Sequence, residues 1–385
     1  MSVFDDVVGQ PGAVAVLSHA AADAAEVLAG RAGLAMTHAW LMTGPPGSGR
    51  SVAARAFAAA LECPRGGCGD CVACHTSLGG THADVTLVAP EGLSYGVAEA
   101  RRLVRSVSES PMSGRWRVVV VEDADRLTED AANALLRAIE EPPPRAVFIL
   151  CAPTPDDLLP TIRSRCRLVT LRIPSAEAVA DVLVRRDGTD PAMAAFAARA
   201  AQGHVGRARR LATDDEARRR RRDVLDLPFA LDTVPSALAA AAALVDAATE
   251  EASAVTDDLD TQETTALREA LGDTGRGLPR GTSGALTDLE KRQKSRATRG
   301  KRDVLDRALL DLAAFHRDVL AIQMGGRVPL VNGDLSDRVQ RLAKGSRPEQ
   351  TLRRIEAILA CREALAANVN PLLAVEAMAL AVRSA

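Results

Sequence analysis

Short apolar runs alternate with helix-like stretches over residues 1–172. Apolar and small residues recur at helical spacing in four stretches, near residues 11–30, 51–62, 96–108 and 128–140. Three prolines follow the last stretch, and proline cannot continue a helix. Apolar runs between helices are typical of parallel strands that are covered on both faces. We therefore predict an α/β parallel-sheet domain with the strands AWLMT (39–43), VTLV (85–88), RVVVV (117–121), VFILC (147–151) and RLVTL (167–171).

The strand pattern ends near Pro174, and the rest of the chain is helical in character. In the last helical stretch Asn370 is placed to cap a helix that begins at Pro371. Residues 254–302 interrupt the pattern, because they contain few large apolar residues and run from acidic to basic. We expect a largely disordered or loosely helical insertion there.

Composition narrows the classes of function. A chain of 385 residues is too long for one compact core and indicates two or three domains. The formal net charge of -2 argues against a strongly basic nucleic-acid coat. No apolar stretch approaches the ~20 residues that span a bilayer, and the N-terminus lacks the layout of a secretory signal. We therefore expect a cytoplasmic protein whose thiols are reduced.

A glycine-rich turn, GPPGSGRS, follows the first predicted strand and precedes a helix. Gly44, Gly47 and Gly49 let backbone N–H groups turn inward, as the phosphate-binding pattern G-x-x-x-x-G-K-[ST] requires. Ser51 is placed to reach Mg²⁺, which would accompany a bound nucleotide. Arg50 stands at the lysine position, where a planar guanidinium cannot replace a compact ammonium. The context predicts a P-loop fold; binding of ATP or ADP stays open, and we do not expect hydrolysis.

Two acids end the strand in VVVVEDAD. The usual order is Asp for the magnesium shell and then Glu to activate water. Here Glu122 comes first and Asp123 second, and Asp123 is one methylene short for polarising a water molecule. A structural acidic cap is therefore the alternative to a catalytic role.

Four cysteines lie close together in CPRGGCGDCVAC. Cys63, Cys68, Cys71 and Cys74 have the tight spacing that lets four thiolates converge on Zn²⁺. Disulfides are disfavoured in the cytoplasm, so we predict a structural zinc site. Four sulfur ligands leave no open position for catalysis, and His75 is expected to be a neighbour rather than a ligand.

The stretch TIRSRC places Ser164, Arg165 and Cys166 just before the fifth predicted strand. An exposed arginine is ordinarily a solvated charge. The helix and proline exit in NALLRAIEEPP (133–143), however, could present a surface to a neighbouring subunit. The five-arginine run at 218–222 could touch DNA phosphates, but it lacks interleaved aromatic residues, so a solvated helix is the favoured interpretation.

Taken together, these motifs resemble the clamp-loader family of AAA+ proteins. FDDVVGQ, HAWLMTGPPGSGRS, the four cysteines, NALLRAIEEPP and TIRSRC occur in the family's order, and NVNPLLAVEAMAL resembles its helical collar. The resemblance implies a P-loop domain with a zinc module (63–74) at 1–172, a helical lid at 173–225 and an all-α collar at 226–385. The insertion at 254–302 departs from the family pattern.

The family implies a hetero-pentameric ring that uses ATP to load a sliding clamp onto primed DNA, as part of a DNA polymerase III holoenzyme. Tau/gamma and delta subunits would be the partners, with no membrane involved. Arg165, flanked by Ser164 and Cys166, would reach in trans into a neighbour's ATP site as an arginine finger.

Motor subunits of the family carry lysine in the P-loop, Asp-Glu in the second motif and an arginine in the lid. Here the first two positions hold Arg50 and the reversed acids, and the lid position holds Gly206, with Arg207 alongside. We therefore expect a subunit that lends an arginine and has little or no ATPase activity of its own. The alternatives are a tau/gamma-like ATPase motor of the same loader and a zinc-bearing DNA-binding adaptor.

Overall fold

The computed structural model describes residues 2–90, 92–112, 115–270 and 283–384. The chain divides into two compact units, Met1–Ala212 and Thr213–Ala385. The helix Asp215–Asp226 falls in the second unit. The predicted boundary between lid and collar, after residue 225, stays a prediction. A separate lid inside the first unit stays a prediction.

The first unit contains a five-stranded parallel sheet with the order β2-β3-β4-β1-β5. All five predicted strands are confirmed; the fourth is one residue longer at each end and the fifth is one residue shorter. The bounds are β1 Ala39–Thr43, β2 Val85–Val88, β3 Arg117–Val121, β4 Ala146–Ala152 and β5 Arg167–Thr170.

Helices cover both faces of this sheet. On β1, Trp40 packs in the core on one face and Leu41 in the core on the other, as the two-residue period of a strand requires. The ring of Phe57 meets Trp40 edge-on at 4.9 Å. The helices of this unit are α1 Pro11–Leu28, α2 Arg50–Glu62, α3 Val72–Leu78, α4 Val97–Val107, α5 Glu129–Glu140, α6 Pro160–Arg163, α7 Ala176–Asp187, α8 Pro191–Ala200 and α9 Val205–Thr213, which ends one residue past the unit.

The described part of the second unit is helical. Asn370 accepts the backbone N–H of Leu372 at 2.9 Å, so the predicted cap at the last helix is confirmed. The helices are α10 Asp215–Asp226, α11 Val234–Ala270, α12 Ser283–Gln323, α13 Ser336–Gly345, α14 Pro348–Ala366 and α15 Pro371–Ser384.

Residues 254–270 and 283–302 belong to α11 and α12, so these parts of the predicted insertion follow the helical alternative rather than the disordered one. Polar contacts between the two helices replace the missing large apolar residues. The Gln293 amide donates to the Asp260 carbonyl oxygen at 2.9 Å, and Arg296 forms ion pairs with Asp260 and Glu263. Residues 271–282 lie outside the described part of the chain.

The five-arginine run lies on α10 and is only partly solvated. Arg219 and Arg220 pair with Glu216 on the same helix. Arg221 is 4% exposed, and its Nε lies 3.5 Å from a carboxylate oxygen of the buried Asp311. The expectation of a solvated helix is therefore wrong for Arg221, which belongs to the interior of the second unit.

Candidate functional site

The predicted P-loop connects β1 to α2. Gly47 and Gly49 have φ angles of +87° and +88°, a region that residues with a Cβ rarely adopt. A Cβ added at Gly47 would lie 3.2 Å from the Cβ of His204, the residue before α9. The loop therefore has the backbone of a phosphate cradle, and its tip packs against the start of α9.

Arg50 folds back onto this loop. Its Nη1 donates a hydrogen bond to the carbonyl oxygen of Gly44, 2.8 Å away. The side chain thus joins the end of the loop to its beginning. Ser51 follows as the second residue of α2 and is half-buried.

Glu122, the first acid after β3, forms an ion pair with Arg55 of α2. Nε and Nη2 of Arg55 lie 3.1 and 2.8 Å from Oε1 of Glu122. The Tyr95 hydroxyl donates to the backbone carbonyl of Glu122 at 2.6 Å and holds the end of the strand. The sequence shows both charges, but their pairing depends on α2 lying beside β3.

Asp123 has left-handed backbone angles, φ 49° and ψ 50°, which are uncommon for a residue other than glycine. Asp125, two residues later, is half-buried, and sequence reasoning missed it. Burial raises the pKa of Asp125, and the neighbouring charge of Asp123 raises it further. Asp125 therefore holds its proton to a higher pH than an exposed aspartate does.

The four predicted cysteines converge. Their sulfur atoms all lie within 4.8 Å of one another, and the sulfur of Cys63 lies 3.6 Å from those of Cys68 and Cys71. Disulfide sulfurs are ~2.05 Å apart. Tetrahedral Zn²⁺ with ~2.3 Å bonds places them about 3.8 Å apart. The donor set therefore fits zinc.

The surroundings of Cys63 and Cys74 shift the pKa values of their thiols in opposite directions. Burial acts to raise the pKa of Cys63, but the backbone N–H groups of Cys68, Gly67 and Arg65 outweigh it and lower this pKa to about 6. Burial raises the pKa of Cys74, so its deprotonation would be driven by the metal. His75 is exposed on α3 and does not belong to the four-sulfur group.

Arg165 lies between α6 and β5 with 39% of its side chain exposed. Nη1 donates to the carbonyl oxygen of Thr161 at 2.8 Å and to the hydroxyl of Ser164 at 3.2 Å. Nη2 lies 2.7 Å from Oε1 of Glu140, the last residue of α5. Cys166 packs into the core, and burial raises its pKa to about 12.

The sheet separates these groups into two sets. The P-loop follows β1 and the acids follow β3, so both lie at the carboxyl edge of the sheet. Arg165 precedes β5 and therefore lies at the amino edge, because all strands are parallel. A strand of five residues spans ~16 Å. Arg165 is thus remote from the nucleotide loop of its own chain.

The predicted lid position holds Gly206, the second residue of α9. The backbone N–H of Arg207 donates to Nδ1 of His204 at 3.2 Å, so His204 caps this helix. His204 was missed by sequence reasoning, and its contact with the P-loop has no local signal in the sequence.

Two family profiles match the chain. The profile described as "DNA polymerase III, delta subunit" matches residues 30–175, and "DNA polymerase III, delta subunit, C terminal" matches residues 303–383. Together they cover more than half of the 385 residues.

Curated proteins are similar over up to half of the chain. DNA polymerase III subunit delta' of Pseudomonas aeruginosa is 39% identical over 163 residues, which are 41% of this chain and 50% of that protein. Subunit delta' of Bacillus subtilis is 32% identical over 195 residues, 50% of this chain and 59% of the relative. Subunit gamma/tau of Mycobacterium tuberculosis is 34% identical over 175 residues, 44% of this chain and 28% of the relative. The chain thus spans less than two thirds of each relative's length.

Among solved structures, a DNA polymerase III gamma subunit-related protein of Thermotoga maritima has a TM-score of 0.40 and 18% identity, covering 95% of this chain and 99% of its own. RuvB of the same organism has a TM-score of 0.39 and 20% identity, covering 57% and 64%. At these TM-scores neither likeness bears on function. None of the helices that the structure describes is long and apolar enough to cross a membrane.

Proposed function

Because the chain belongs to the DNA polymerase III clamp-loader subunit family, we propose that it is the delta-prime-like member of a replicative loader. In this role it joins tau/gamma and delta subunits in a cytoplasmic hetero-pentamer that loads a sliding clamp onto primed DNA. It supplies Arg165 to the ATP site of a neighbouring subunit and has little or no ATPase activity of its own.

The position of Arg165 is the observation that carries this proposal. It lies at the amino edge of the sheet, whereas the P-loop of the same chain lies at the carboxyl edge. A guanidinium at that distance cannot reach a phosphate in its own loop, but it is exposed enough to meet one on another chain. An arginine acting in trans stabilises the charge of a transferring phosphoryl group.

The hydrogen bonds of Arg165 suit that task. Thr161 and Ser164 hold one amino group of the guanidinium, which orients the plane. Glu140 lies at the other amino group and is itself 39% exposed. An exposed pair of this kind is worth about 0 to 1 kcal/mol, so a triphosphate can displace Glu140 at little cost.

Three features support an idle nucleotide site. Nη1 of Arg50 donates a hydrogen bond to the carbonyl oxygen of Gly44 inside the loop. A lysine at this position would instead reach the β- and γ-phosphates. Glu122 is already paired with Arg55, so it competes poorly for Mg²⁺. Burial raises the pKa of Asp125, which makes it a weaker acid than an exposed aspartate. In an active site of this type, the P-loop lysine and the metal-binding acid are free to reach the phosphates and Mg²⁺.

The zinc module has a structural role in this proposal. Cys63 closes α2, the helix that follows the P-loop, and Cys74 lies on α3. Both are buried, and four sulfur ligands would complete the coordination of Zn²⁺. The metal would therefore fix α3 to the end of α2 and would take no part in chemistry.

The proposal is tested by mixing the purified chain with the motor and delta subunits of a bacterial loader. Native mass spectrometry should show one copy of the chain in a pentamer, and the chain alone should not turn over ATP. Rapid ATP turnover by the isolated chain, lost on Ser51→Ala, would instead identify a motor subunit. Failure to join a pentamer, together with tight DNA binding, would favour the adaptor.

A further inference from the structure

The first half of α12 carries basic side chains on the face turned away from α11. Residues 291–302 contain lysine or arginine at seven positions and no acid. The side chains of Gln293 and Arg296 bond to α11, and a Cβ added at Gly300 would lie 3.4 Å from Ala252. These residues recur at spacings of three and four, so they define the inner face of the helix.

The opposite face is occupied by Lys291, Lys294, Lys301 and Arg302, which we call the basic stripe. Lys291 and Lys294 are exposed, and Lys301 and Arg302 are half-buried. Nη1 of Arg302 donates to Oδ1 of Asn368 at 2.6 Å, so the three lysines supply the accessible charge of the stripe. No acid interrupts the stripe. At a rise of 1.5 Å per residue, its ends are about 16 Å apart along the helix.

The charge of the stripe is weakly compensated. Lys291 lies 3.6 Å from Asp288, but both side chains are about three-quarters exposed, at 73% and 75%. Such pairs contribute little. Lys294 and Lys301 have no ion pair within the described part of the chain. Two acids of α11 are paired with other arginines, Glu263 with Arg296 and Glu251 with Arg307.

We propose that the basic stripe binds the phosphate backbone of duplex DNA without reading its sequence. Lysine ammonium groups act as point charges on phosphates and carry no base recognition. The length of the stripe is comparable to the ~12 Å width of the major groove, so its two ends can reach phosphates on both sides of that groove.

Protein and membrane partners fit this face less well. Between Leu259 and Met324, the described residues include no exposed large apolar side chain. Protein interfaces need buried apolar or aromatic anchors at their centre, and membrane-surface helices need an apolar face. Interfaces with DNA are instead polar and positively charged. The choice of DNA as the polyanion rests on the proposed function, whereas the recognition of phosphate does not.

The test measures binding of the full-length chain alone to a short fluorescent DNA duplex by anisotropy, over a series of salt concentrations. The variant Lys291→Gln/Lys294→Gln/Lys301→Gln removes three charges of the stripe. The control Arg341→Gln/Lys344→Gln/Arg347→Gln removes three charges from exposed side chains of the same unit. Circular dichroism and thermal melting check that both variants fold.

We expect the stripe variant to bind about tenfold more weakly or worse at low salt, and the control to bind like the wild type. The slope of log K against log salt should fall in magnitude by about 2 to 3 in the stripe variant. Absence of DNA binding by the wild type, or equal losses in both variants, overturns the proposal. So does a stripe variant that binds DNA normally but fails to assemble with loader subunits. Because the isolated chain is used, the result is independent of the role of Arg165.

Discussion

Nη2 of Arg165 lies 2.7 Å from Oε1 of Glu140, so α5 and the segment before β5 meet through an exposed ion pair. The pair joins the two motifs, NALLRAIEEPP and TIRSRC, that are separated in the sequence. It holds the guanidinium at the amino edge of the sheet. In the proposed role of Arg165, Glu140 would compete with a neighbour's nucleotide for the guanidinium.

This competition predicts the behaviour of Glu140→Gln. Removal of the acid should leave Arg165 oriented by Thr161 and Ser164 but should free its second amino group. We expect the assembled loader to bind ATP up to about fivefold more tightly, which is the effect of losing about 1 kcal/mol of competition. Titration of the loader with a fluorescent ATP analogue measures this. Glu141→Gln is the control, and an equal gain in both variants would contradict the account.

The hydrogen bond between Arg50 and Gly44 predicts that Arg50→Lys will increase nucleotide binding. Arg50→Lys removes the guanidinium that bonds to Gly44 and supplies the ammonium that a P-loop uses. We expect at least about tenfold tighter binding of ATP to the isolated chain, measured by calorimetry, still without turnover because Glu122 stays paired with Arg55. The control is Arg50→Gln, which removes the guanidinium that bonds to Gly44 without adding an ammonium group. Equal affinity of the wild type and Arg50→Lys would refute the idea that Arg50 keeps the site idle.

The four-sulfur cluster predicts one Zn²⁺ per chain, measured by native mass spectrometry. Cys71→Ser should abolish binding at ordinary zinc concentrations, whereas Cys361→Ala, a change in the other unit, should keep the metal. Protons compete with the metal for sulfur, and the Cys63 thiolate is lost as pH falls through its pKa of about 6. Zinc should therefore be retained at neutral pH and bound more weakly as the solution is acidified. A metal-free wild-type chain would contradict this prediction.

The burial of the Arg221–Asp311 pair predicts that replacing Arg221 lowers the free energy of unfolding by a large amount. Arg221→Ala leaves Asp311 buried without this partner. Breaking a buried ion pair costs about 3 to 5 kcal/mol. Arg219→Ala on the same helix, where the side chain is 59% exposed, should change the unfolding free energy by less than about 0.5 kcal/mol. Urea unfolding monitored by circular dichroism compares the two variants. Similar midpoints would show that the ion pair of Arg221 does not contribute to stability.

The sheet was predictable from the sequence because its strands are continuous apolar runs between helices. The bounds of β1, β2 and β3 agree with the predicted ones. The packing of the helical insertion was not predictable in this way, because α11 and α12 are joined there by polar contacts such as that between Gln293 and Asp260. A local count of apolar residues does not register contacts between segments far apart in the chain.

In the candidate site, too, the features that depend on neighbouring residues were predictable from the sequence, and those that depend on distant segments were not. Spacing alone indicated the four cysteines and the glycine turn, since their chemistry depends on residues that are close in sequence. The pairings of Arg55 with Glu122 and of Arg165 with Glu140 depend on how distant segments pack. The same limit applies to Arg221, whose burial follows from the position of Asp311 on α12.

The most direct test of the central claim is ATP hydrolysis by the reconstituted loader with clamp and primed DNA. The chain is used as wild type, as Arg165→Ala and as the control Arg163→Ala, which removes an exposed neighbouring arginine paired with Asp156. We predict that Arg165→Ala lowers the DNA-stimulated rate about tenfold or more while the ring still assembles and Arg163→Ala stays near the wild type. An intact ring that hydrolyses ATP at the wild-type rate with Arg165→Ala would contradict the account.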